Sequence, residues 1–100
     1  MRRLLVTMLL LAAPACLAAE PAAPVTPGEL KPGPGLDVVV AACSGCHSLD
    51  YVQMNSPFLT RDGWQAEVTK MRQAYGAPLD QPSADTIVQY LAATYAAAGT

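Results

Sequence analysis

Residues 43–47 read Cys-Ser-Gly-Cys-His, and the spacing within that pentapeptide governs how the rest of the chain is read. C-x-x-C-H is the attachment sequence of c-type haem. Two thiols separated by two residues add across the two vinyl groups of one macrocycle as thioethers, and the adjacent imidazole swings beneath the iron as its proximal ligand. Ser44 and Gly45 are small enough to let the turn bend around the ring edge. Three other readings compete for the same residues. A disulfide between Cys43 and Cys46 is allowed in an oxidising compartment. A thioredoxin-like redox pair needs a βαβ context, which is missing here. A zinc cage is one ligand short with only Cys43, Cys46 and His47 available. One covalently bound haem c uses all three residues and is the reading carried forward.

The sixth iron ligand is narrowed by counting. His47 is the only His in the chain, which excludes bis-His ligation from this chain alone. Met1 and Met8 fall in an apparent export signal, leaving Met54 and Met71 for a His/Met site. Met54 follows His47 by seven residues, so at roughly 3.3 Å per residue it has little slack to round the macrocycle and return to the iron. Met71 has 24 residues of slack and is the expected distal ligand, with Met54 the alternative. Trp64 is a candidate to hydrogen-bond a haem propionate through its indole N–H, or else to fill the core. Tyr51, Phe58, Tyr75, Tyr90 and Tyr95 read as packing. Arg61, Lys70 and Arg72 are candidates for propionate or partner contact, or simply solvated helix charges.

Outward from the motif, periodicity predicts three helices and no strand. The first runs from Leu36 to about Ala42, with Leu36, Val39, Val40 and Cys43 on one face, after Pro34-Gly35. The second begins after an N-cap at Asp62 and lines up Trp64, Val68, Met71 and Tyr75 in one stripe; Gly76 and Pro78 stop it. The third runs from about Pro82-Ser83 to Ala97 with Ile87, Val88, Leu91 and Tyr95 buried. The expected fold class is therefore all-α: a small class I-like cytochrome c with about three helices around the haem.

Towards the N-terminus, Arg2 and Arg3 precede an apolar run from Leu4 to Leu17, broken by Pro14 and ending in small residues. It is shorter than the roughly 20 residues that span a bilayer, so residues 1–19 read as a secretory signal cleaved near Ala18 or Ala19, which puts the protein in the periplasm. Lipidation at Cys16 is the alternative. Residues 20–35, EPAAPVTPGELKPGPG, carry five Pro and three Gly and are expected to form an extended, mobile arm able to dock along a partner. The cytochrome domain is then 36–100, a size at which burial alone is marginal and a cofactor is expected to contribute. Without the signal, four basic residues (Lys31, Arg61, Lys70, Arg72) face eight acidic ones, a net charge of −4. That surface offers no footing for nucleic acid.

The stretch CSGCHSLDYVQMNSPF (43–58), followed by GWQAEVTKM (63–71), AYGAP (74–78) and IVQYLAATY (87–95), resembles the small c-type cytochrome subunit of bacterial sulfite dehydrogenases. The resemblance covers about Val39 to Tyr95. It implies that Cys43 and Cys46 attach haem, that His47 is the proximal ligand and that Met71, in the W-x₆-M segment, is the distal one. A similar W-x₆-M arrangement occurs in haem domains of quinohaemoprotein amine dehydrogenases, so it is not confined to sulfite oxidation. In the sulfite dehydrogenase family a molybdopterin subunit oxidises sulfite to sulfate, and the haem subunit takes the electrons singly and passes them to a soluble cytochrome c. The chain is accordingly expected to be an electron-transfer subunit and not an enzyme by itself. Its rivals are a free electron shuttle, the haem subunit of another periplasmic dehydrogenase, and a haem-based gas or ligand sensor.

Overall fold

A computed structural model describes Leu17 and residues 28–99 of the 100-residue chain. The expected signal, Leu17 apart, its cleavage site, lipidation at Cys16 and residues 20–27 of the expected arm lie outside them. The described residues form four helices and no strand: α1 (Leu36–Cys43), α2 (Asp50–Asn55), α3 (Arg61–Gln73) and α4 (Gln81–Thr94). No described helix is long and apolar enough to cross a membrane.

Helix α4 is the centre of the fold, packing against both α1 and α3. Its buried stripe is Ala84, Ile87, Val88, Tyr90 and Leu91, and it meets Val39 of α1, Val52 of α2 and Trp64 and Val68 of α3 in one core. Asp80 caps its start by accepting from the Ser83 N–H at 2.8 Å, and Pro82 occupies the first turn, where its missing donor costs nothing. The helix stops at Thr94, three residues short of the expected end at Ala97. Tyr95 leaves helical geometry there because its carbonyl accepts the Trp64 Nε1–H at 3.0 Å, and beyond it the Ala97 N–H donates to the Leu59 carbonyl at 2.8 Å.

Helix α3 starts two residues before the expected point. Thr60, not Asp62, is the N-cap: its backbone is extended and its hydroxyl accepts from the Gly63 N–H at 3.3 Å. Asp62 instead places a carboxylate in the first turn, where the helix dipole favours it. At the other end Gly76 takes a left-handed φ of +69°, and the Ala77 N–H turns back to the Met71 carbonyl at 2.9 Å. In α1 the packed face is Leu36, Val38, Val39, Ala42 and Cys43; Val40, expected inside, is 39% exposed, and its carbonyl binds Ser44 beyond the helix end. The short helix α2 was not expected at all.

The largest departure concerns residues 28–35, which are an ordered strap on the domain and not a mobile arm. Leu30 is buried in the core. The Lys31 N–H donates to the Tyr95 hydroxyl at 2.8 Å, and the Lys31 carbonyl accepts from the Tyr90 hydroxyl, so both backbone polar groups of that residue are satisfied by tyrosines. Gly28 donates to the Asp50 carboxylate and the Glu29 carbonyl accepts from Gln53, tying the strap to α2. Gly35 turns the strap into α1 at φ +91°, where an added Cβ would lie 2.9 Å from Thr86 Cγ2. The domain therefore begins by Gly28, earlier than the expected boundary at Leu36.

Candidate functional site

Helix α1 ends at Cys43, and the turn after it carries Cys46 and His47, so the three residues arrive at one edge of the fold by sequence adjacency alone. Ser44 secures that turn by donating both its N–H and its hydroxyl to the Val40 carbonyl. Cys43 is half-buried, Cys46 exposed, and both are free thiols. Burial, with the neighbouring Cys46 second, pushes the Cys43 thiol up. His47 Nδ1 lies 2.9 Å from the Ser48 carbonyl. A carbonyl only accepts, so Nδ1 is the donor in this contact and Nε2 is the ring nitrogen left for a metal.

These residues open onto a cavity of about 430 Å³, within the roughly 300–1,000 Å³ of cofactor sites. Met71, half-buried near the end of α3, lines the same cavity. Val68 and Ile87 contribute apolar wall from α3 and α4, and the turn Gly76–Leu79 forms another side. Met54 does not line the cavity and is 70% exposed on α2. Of the two Met residues that sequence counting leaves open, only Met71 shares the cavity with His47.

Trp64 requires a correction. It is 2% exposed, does not line the cavity, and its one N–H is committed to the Tyr95 carbonyl. An indole has no second donor, so Trp64 is a core strut between α3 and the end of α4 and not a propionate ligand.

Tyr51, read from sequence as packing, belongs to the site. Its ring lies 5.3 Å from that of His47, tilted by 48°, and its hydroxyl donates to Glu67 at 3.0 Å. Glu67 also pairs with Lys70 at 2.7 Å. The Lys70 ammonium holds the Glu67 carboxyl below its usual range, and Glu67 in turn raises Lys70; burial and the Glu67 bond raise the Tyr51 phenol. The only signal for Tyr51 in the sequence is its position four residues after His47. Tyr51, Lys70 and the 72%-exposed Tyr75 line the cavity.

The donor set suits a macrocycle better than a bare ion. Among the described residues no three His, Cys, Asp or Glu side chains gather in a cage for a metal. Two thiols, one imidazole with a free Nε2 and one thioether around a largely apolar cavity are the groups that covalent, His/Met-ligated haem uses. The residues present fit that group. No family model matches the chain, and a search of curated proteins also returns no match.

Proposed function

We propose that the chain is a monohaem c-type cytochrome that transfers electrons in the periplasm. The observation that carries this reading is the single cavity shared by Cys43, Cys46, His47 and Met71. Bound there, a haem would shuttle one electron between Fe(III) and Fe(II). The residues do the rest. Cys43 and Cys46 would prevent loss of the group as thioethers, and the Ser48 carbonyl, by holding Nδ1, would leave Nε2 of His47 to ligate. A Met71 thioether favours the ferrous state relative to a second imidazole and so raises the potential. His47 and Met71 would both be spent on holding the iron, leaving no position for substrate, which supports an electron-transfer subunit and not an enzyme by itself.

The resemblance of residues 39–95 to the cytochrome subunit of sulfite dehydrogenases supports a partner: a molybdopterin, sulfite-oxidising subunit as donor, with a soluble cytochrome c as acceptor. The test is to isolate the protein mildly from the periplasm of its host with whatever accompanies it, oxidise it, add sulfite and follow the reduced-haem bands. Rapid reduction that is lost when the larger partner is stripped away is the expected result. Reduction by ascorbate but not by sulfite, with a partner present, would remove the sulfite assignment and leave the cytochrome.

A further inference from the structure

Haem carries two anionic propionates as well as the vinyls that thiols consume, and an apolar cavity must meet that charge at its mouth. The described residues include four Lys and Arg side chains, and the structure places each of them. Lys31 lies 5.1 Å over the ring of Tyr95. Arg61 lines a groove with Thr60, Asp62 and Ala96, apart from the cavity. Arg72 donates to Gln81 at 2.9 Å on another face of α3. Lys70 alone lines the cavity, and its side chain is 45% exposed, as a group at the mouth should be. No Asp or Glu lines the cavity with it. Glu67 takes one of the three ammonium N–H groups and is itself fixed by Tyr51, so Lys70 is held at the rim with two donors to spare.

We propose that Lys70 is the propionate anchor of this cavity, bridging Glu67 and a haem propionate. This rests on the reading that the cavity holds haem. Arg72, two residues on, carries the same charge but lies on another face of α3, does not line the cavity and donates to Gln81 instead.

The full chain is expressed with a c-type haem attachment system as wild type, Lys70→Gln, Lys70→Arg and Arg61→Gln. Haem staining of the denatured wild type is read first; a colourless wild type refutes the haem reading itself, before any variant is compared. With haem present, Lys70→Gln is expected to shift the propionate-bending band in resonance Raman spectra and to lower the reduction potential, because a cation that favoured Fe(II) is gone. Lys70→Arg should restore both. Arg61→Gln makes the same change in net charge away from the cavity and should alter neither. A Lys70→Gln band and potential equal to wild type would overturn the proposal, as would equal shifts in Arg61→Gln. If Lys70→Gln retains no haem, retention by Lys70→Arg supports the anchor, and loss in both overturns it.

Discussion

Replacing Trp64 by Phe separates a core role from a haem role in a single molecule. The substitution leaves an aromatic ring at a site 2% exposed but removes the N–H that the Tyr95 carbonyl accepts at 3.0 Å inside the protein. A buried acceptor without a partner costs about 1–3 kcal/mol. The smaller ring leaves a void of about 40 Å³, and at about 24 cal/mol per Å³ that adds about 1 kcal/mol. The expected loss is about 2–4 kcal/mol. For a domain of this size each kcal/mol lowers Tm by about 4–8 °C, so thermal unfolding followed by circular dichroism should show a fall of at least about 8 °C. The haem spectrum, the potential and the propionate-bending band should stay at their wild-type positions, since Trp64 does not line the cavity. A Tm within 2 °C or so of wild type together with a shifted propionate band would refute the reasoning and return Trp64 to the haem.

Three further outcomes follow from the same geometry. Met71→Ala should open the sixth position, so that the reduced protein binds CO and its potential falls, while Met54→Ala, made at an exposed position off the cavity, should do neither; optical titration with CO decides. Leu30→Ala, which empties a core position in the strap, should cost about 2–5 kcal/mol in urea unfolding, where a mobile arm would show no loss. Burial, with Tyr95 second, pushes the Tyr90 phenol up to about 12, against about 10 in an unfolded chain. A raised folded value stabilises the fold below pH 10 and is lost as pH rises towards 12, so alkaline unfolding over that window should be weaker in Tyr90→Phe than in wild type.

Where the sequence was legible, the reason is a local signal. Helices α3 and α4 announce themselves by period: Trp64 and Val68 stand one turn apart, as do Ala84 and Val88, and Ile87 and Leu91, and all six are buried. The all-α class follows from that. The two thiols and His47 are legible together because adjacency alone brings them to one place, whereas counting leaves both Met54 and Met71 open and only the fold puts Met71 at the same cavity. Helix α2 has six residues, no capping side chain and one buried residue, Val52, so nothing local marks it; it exists because Val52, Tyr51 and Asp50 each find partners distant in sequence. The face of α1 was misread at Val40 because three consecutive valines, 38–40, fit more than one helical stripe. The chain from Tyr51 through Glu67 to Lys70 spans two elements, and no spacing rule points to a contact 16 residues apart.

The strap shows where composition stops being informative. Pro and Gly in residues 28–35 do forbid a helix or a sheet ladder, and neither forms there. Composition addresses only whether backbone can pair with backbone. It is silent on whether side chains elsewhere supply the missing partners, and here Tyr90, Tyr95, Asp50 and Gln53 do so while Leu30 supplies the apolar contact. A domain of this length has a physical need for such a strap. Part of its space is given over to a cavity of about 430 Å³, which the helices do not fill with their own side chains, and a segment that forms no regular structure adds buried contact along α4 and α2. Proline helps in that task, because a chain already restricted in the unfolded state loses less entropy when pinned; glycine costs entropy instead, and its use is conformational, since only a residue without Cβ can make the left-handed turn that Gly35 makes beside Thr86 to bring the strap into α1.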